Sequence, residues 1–191
     1  MERDKLITRA TNEFIENNLL EGFSNILEDV LENNSVYMKE IMWAFEQLFQ
    51  KGIKKQRAEI KGEVAFVVIS FLHNSFFSET FEFQIELFDE NYLADKNPIV
   101  WKYAPSFIEK HYITEWTSYE KHMKNKIIQL KKNEIYPFRL MLADKYKKVM
   151  ESIFAEYIPF VVRLLSYKEL IKSDDIKILY GDYYGKCVEI N

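Results

Sequence analysis

Apolar residues recur at every third or fourth position through the first quarter of the chain, which is the spacing of one buried helix face. Leu6, Ile7, Ala10 and Phe14 begin the pattern. Phe23, Ile26, Leu27, Val30 and Leu31 continue it at i, i+3, i+4, i+7 and i+8. The region from Asn17-Asn18 to Gly22 is expected to bend the first helix. Asn33-Asn34-Ser35 reads as a stop followed by a restart, with Ser35 as N-cap. A second helix then buries Val36, Ile41, Ala44, Phe45, Leu48 and Phe49. Residues 3–55 are therefore expected to form a helical hairpin.

The period changes from 3.6 to 2 near Ile60. "EVAFVVISFL" is an unbroken β-branched and aromatic run, suited to a strand buried on both faces. After the polar "HNSFFSE", the stretch "FEFQIELF" alternates strictly, so 60–88 is expected to be a β-hairpin whose second strand is half-solvated. Helical spacing returns over 106–171. S/T-x-x-E patterns at Ser106, Thr117 and Ser166 predict helix starts near 107, 118 and 167. Pro137 suits the first turn of a long helix and Pro159 its end or a kink. The tail, 176–190, has strand character, with Gly181-Asp182 as a two-residue turn. The expectation is a single α+β domain over 1–191, mostly helical, with a small antiparallel sheet.

Composition narrows the function classes. The 191 residues are 48% hydrophobic and 29% charged, as in a globular protein with one full core. The N-terminal "MERDKLITRA" lacks the apolar segment of a signal peptide. The longest apolar run, Val64 to Ile69, is far short of the ~20 residues that span a bilayer. One cysteine, Cys187, forms no internal disulfide and suits a reducing compartment, so a cytoplasmic location is expected. The net charge of −4 is unevenly placed. Residues 1–50 carry ten acids against four Lys/Arg, a net of −6, whereas 121–148 carry nine Lys/Arg against two acids, a net of +7.

Candidate chemistry is sparse. His111, Glu115 and His122 would share one face of a continuous helix, but eleven residues at ~1.5 Å each hold the histidines roughly 16 Å apart. No metal site or cofactor is expected, and a helix break at Thr117 would separate the two histidines. His111 and Glu115 remain the best pair for an unrecognised enzyme. Cys187 lies in an apolar strand, which favours a buried thiol over a nucleophile. No Walker A loop, G-x-G-x-x-G or G-x-S-x-G occurs. Tyr92, Trp101, Tyr103, Tyr112 and Trp116 surround the hairpin-to-helix connection and are candidates, with His111 and Glu115, for a ligand or partner groove. Lys121, Lys124, Lys131 and Lys132 point away from a predicted apolar stripe and are candidates for a basic docking face. Glu82 and Glu86 read as the wet side of the alternating strand, discouraging edge pairing.

"VVISFLHNSFFSETFEFQIELFDENYL" and the later "YGDYY" resemble a pattern in a set of uncharacterised bacterial proteins. The resemblance covers about a fifth of the chain and implies a bacterial origin and a recurring hairpin unit; it assigns no site. The leading expectation is a non-enzymatic cytoplasmic protein that binds another protein, an inhibitor of antitoxin or immunity type being one form. A homo-oligomer is an open alternative; nucleic acid and membrane are not expected partners. The second expectation is a small-ligand module with an aromatic-lined groove, and the third is an enzyme.

Overall fold

A computed structural model describes residues 2–73, 75 and 80–190, the side chains of 19–21 and 23 excepted. The first helix, α1, runs from Glu2 to Arg57 without turning back. Its partners come in order along its length, which a hairpin could not produce. Arg3 Nε lies 2.5 Å from Glu134, Lys126 reaches Glu13 at 2.8 Å, and Asp29 meets His111. Further on, Glu40 meets Ser106, and Gln56 donates to the carbonyl of Ile171. The predicted hairpin at 3–55 is thus one long helix with a kink. Asn33 leaves helical geometry (φ −109°, ψ 16°), but its side chain donates to Asp29 Oδ1 at 2.8 Å and to the Asp29 carbonyl at 3.3 Å. Those bonds occupy a carbonyl that the kink would otherwise strand, and the helix resumes.

Two further long helices follow the sheet's first three strands. α2 (Ser106–Lys126) and α3 (Lys132–Val161) pack on α1, and a short α4 spans Leu165–Glu169. The predicted start near 118 is a mid-helix position. Tyr112, Glu115, Tyr119 and Met123 form a buried i, i+3, i+7, i+11 stripe that carries α2 straight through Thr117, which faces solvent. Pro137 sits in the second turn of α3, whose first turn begins five residues earlier, and Pro159 precedes its end by two. At the predicted starts near 107 and 167, the serines do not cap their own helices. Ser106 Oγ donates to Glu40 Oε2 and Ser166 Oγ to Glu46 Oε2, both at 2.5 Å. The two α1 carboxylates therefore meet the N-termini of α2 and α4, where the exposed N–H groups favour negative charge. Glu40 also accepts the Ser106 N–H at 2.9 Å.

The strands are β1 (Val64–Phe71), β2 (Phe83–Phe88), β3 (Ile99–Tyr103), β4 (Lys172–Asp182) and β5 (Cys187–Glu189). They form one sheet in the order β3-β2-β1-β4-β5. β1 and β2 are antiparallel as expected, but β1 and β4 pair in parallel, so the sheet is mixed. The intervening helices supply the long crossover that a parallel pair requires. β2 is an interior strand with every residue buried, not a half-solvated edge. The turn between β4 and β5 lies at Tyr183–Lys186 rather than at Gly181-Asp182. Gly181 is a strand residue where a Cβ would stand 2.2 Å from the Lys186 carbonyl oxygen, so only glycine allows the strands this close. Residues 74 and 76–79 of the predicted hairpin loop lie outside the described residues. No helix among those described is long and apolar enough to cross a membrane.

One face of the sheet, carrying Val67, Ile69, Phe83, Ile85, Leu87 and Tyr180, packs on the helices. Phe154 of α3 sits at that junction, its ring 5.5 Å from Phe83, 5.9 Å from Tyr180, 6.3 Å from Phe45 and 6.4 Å from Tyr103. The other face is closed by a short connection instead of a helix. Tyr92 covers Phe66 (4.9 Å) and Phe88 (5.4 Å), and the fully buried pair Lys61–Asp95 ties the connection down. Glu86, read from sequence as solvent-facing, is 5% exposed under this cover. Burial raises its carboxyl above 4.5, with the bond to Gln84 opposing.

Phe154→Ala is expected to cost about 3–5 kcal/mol, read from urea unfolding. For Glu86, the folded state holds its proton more tightly than the unfolded chain. Stability therefore falls as pH rises from 4.5 through the raised value. Glu86→Gln should remove that loss, with a gain over wild type on the order of 1 kcal/mol at pH 7 that shrinks toward pH 4. A constant difference across that range would refute the assignment.

Candidate functional site

Around the kink in α1, three side chains converge on one carboxylate. Asp29 Oδ1 accepts the Tyr37 hydroxyl at 2.7 Å and the Asn33 amide at 2.8 Å, while Oδ2 lies 2.6 Å from His111 Nε2 on α2. An ionised carboxylate only accepts, so Nε2 carries the hydrogen. Burial acts to raise the Asp29 carboxyl, but the bonds from Tyr37, His111 and Asn33 outweigh it and hold it below 3.8. The same contact, with burial as the larger cause, pushes the Tyr37 phenol up to about 12. Tyr37 stacks on Phe107 at 4.2 Å, so the network joins α1 to α2.

Two turns away on α1, Gly22 faces Glu115. A Cβ at Gly22 would stand 3.2 Å from Glu115 Oε2, so the missing side chain lets α1 approach a 9% exposed carboxylate. Lys145 on α3 binds both oxygens (3.2 and 3.0 Å), and the Tyr146 hydroxyl donates to Oε2 at 2.9 Å. His111 and Glu115 thus line one cleft of about 200 Å³, yet each is engaged by a different neighbour. Neither is a free general base, because a base must be within reach of a substrate proton and able to take it. His122, on the same unbroken helix, donates to the Ala10 carbonyl at 3.1 Å. Among the described residues no three His, Cys, Asp or Glu are grouped to hold a metal ion. Cys187 is half-buried in β5, and burial pushes its thiol up, the reverse of an activated nucleophile.

The aromatic candidates do not form one groove. Tyr92 covers the helix-free face of the sheet, whereas Tyr103 is buried on the opposite face and bonded to Glu40 at 3.2 Å. Tyr112 is buried against Phe81 and Tyr146 and accepts from Arg139 Nε at 3.1 Å. Trp116 lies under the Arg139 guanidinium, 5.0 Å from its ring centre. Trp101 is at the sheet edge beside Trp43. Tyr103 and Tyr112 belong to the one core, with Trp101 and Trp116 packed against it, and Tyr92 lies on the other sheet face.

The basic stretch is largely spent inside the fold. Lys126 pairs with Glu13, Lys145 with Glu115, and Lys147 with Asp182 at 2.5 Å. Of the docking candidates, Lys124 pairs with Glu120 at 3.0 Å and the Lys131 N–H binds Glu134 at 2.7 Å. Lys121 and Lys132 are exposed.

The surface that sequence reasoning missed is apolar. Leu27, Leu31 and Val36, expected in the core, are 45%, 76% and 58% exposed, and Trp43 is 57% exposed. All four lie on the solvent side of α1, two on each side of Asn33. Trp43 meets half-buried Trp101 edge-on at 5.7 Å, extending the strip to β3. The sequence held no signal for this, since Leu27 and Leu31 fit the same i, i+3, i+4, i+7, i+8 stripe as buried Ile26. No protein-family model, curated protein or solved structure matches the chain.

Asp29 contributes stability above pH 3.8, and this is lost as pH falls through its lower folded value. Asp29→Asn should cost about 1–2 kcal/mol at pH 7 and progressively less in acid. Thermal melts of both proteins from pH 2 to 7 check this.

Proposed function

We propose that the protein is a non-enzymatic cytoplasmic interaction protein that docks another protein on the outer face of α1. The observation that carries this reading is the exposed strip Leu27, Leu31, Val36 and Trp43. Large apolar side chains exposed together on one element of a folded domain are characteristic of interaction surfaces. Tryptophan is the residue type most enriched among those that dominate binding energy. Exposed Glu28 and Glu32 flank Leu27 and Leu31. The complementary partner therefore presents an apolar ridge edged by lysine or arginine, so the acidic half of the chain does the docking and the basic stretch supports the fold. An inhibitor of antitoxin or immunity type belongs to this class. The reading calls for no cofactor and no membrane contact.

The test compares wild type with the double variant Leu31→Glu/Trp43→Glu. Both side chains face solvent, so the melting temperature should move by no more than that of an ordinary surface change, about 0.5 kcal/mol in stability. Affinity capture from lysate should lose a stoichiometric protein in the variant alone. Light scattering separates a second copy of the chain as occupant, since the variant would then convert a dimer to a monomer. Identical capture and identical mass for the two proteins would overturn the proposal.

A further inference from the structure

The cleft beside Gly22 is distinct from the docking strip and lies on the inner side of α1, against α2 and Tyr146 of α3. Its charges are already compensated: Glu115 by Lys145 at 3.0 Å, and His111 by Asp29 at 2.6 Å. Its neutral polar groups are not. Asn25 and Ser118 form no hydrogen bond among the described residues. Asn18 spends its amide N–H on the Phe14 carbonyl at 3.0 Å and keeps its oxygen free. Thr114 donates to the Lys110 carbonyl at 2.8 Å and keeps its acceptor lone pairs. Phe14 supplies an apolar wall.

We propose that this cleft binds a small neutral molecule bearing several hydroxyl groups, a polyol or monosaccharide. Its walls present donors and acceptors in a mixed ring, which suits groups that both give and take hydrogen bonds. An anion would approach the Glu115 carboxylate, and a cation would compete with Lys145 for a carboxylate that is already paired. The volume of about 200 Å³ lies below the ~300–1,000 Å³ of sites for drug-sized ligands, so the occupant is small. It equals roughly six or seven waters at ~30 Å³ each. With so few contacts the affinity is millimolar in order, because ordering costs consume most of the interaction energy.

Saturation-transfer NMR on the full chain tests this with myo-inositol and glucose, against gluconate and glucosamine as charged counterparts. Saturable transfer to the neutral probes is expected, weakened at least five-fold in Asn25→Ala/Ser118→Ala. Both side chains are exposed, so the variant should melt with wild type. A second variant, Gly22→Ala, places a methyl 3.2 Å from Glu115 Oε2 and should also weaken binding. The proposal is overturned by absence of saturable transfer from both neutral probes. It is equally overturned by tighter binding of a charged probe, or by unchanged binding in a folded Asn25→Ala/Ser118→Ala variant.

Discussion

The stacking of α1 and α3 on one face of the sheet depends on Phe154. Its ring touches α1 through Phe45, β2 through Phe83, β3 through Tyr103 and β4 through Tyr180. Phe81 plays the matching part beside it, meeting Phe71 of β1, Phe83 of β2, Tyr112 of α2 and Tyr146 of α3. An aromatic core of this kind is close-packed and yields little, so elements joined to it keep their relative positions. Both the kink network around Asp29 and the cleft beside Glu115 are bridges between helices that this packing has already set.

Charge in this fold serves assembly before it serves recognition. The acids of α1 are consumed along its inner side: Glu13 by Lys126, Asp29 by His111, Glu40 by the start of α2, and Glu46 by Ser166 of α4. Each joins residues more than sixty positions apart in the chain, contacts that no local pattern can announce. The acidic N-terminal segment and the basic 121–148 stretch meet at Glu13–Lys126, while Lys145 and Lys147 pair with Glu115 and Asp182. The acids left over, such as Glu28 and Glu32, stand beside the exposed leucines.

The readable parts of the sequence were those with a strong local period. The period-2 run at 83–88 and the β-branched run at 64–71 both became strands, and their antiparallel pairing followed from their proximity. Errors arose where a local signal was overruled at long range. Thr117 looks like an N-cap, but the Tyr112–Met123 stripe holds α2 through it. Asn33-Asn34-Ser35 looks like a turn, yet Asp29, Tyr37 and, for Asn34, the Tyr157 hydroxyl at 2.8 Å absorb the break. Glu86 alternates like a solvent-facing residue, and only the Tyr92 connection, unpatterned in sequence, covers it. Within the candidate site, His111 and Glu115 share a cleft as their spacing suggested. Their partners Asp29, Lys145 and Tyr146 come from α1 and α3 and had no signal.

The kink also bears on recognition. On a straight helix, Leu27 and Leu31 would lie far around the axis from Val36 and Trp43, at 100° per residue. The departure at Asn33 falls between the two pairs, and all four side chains are exposed. Asp29 fixes that departure through bonds to Asn33 and Tyr37 within α1 and to His111 outside it. The polar contacts of Asp29 thus hold the backbone between the two exposed pairs. A partner that binds across the kink meets a surface whose shape has been ordered in advance, which lowers the entropic cost of docking.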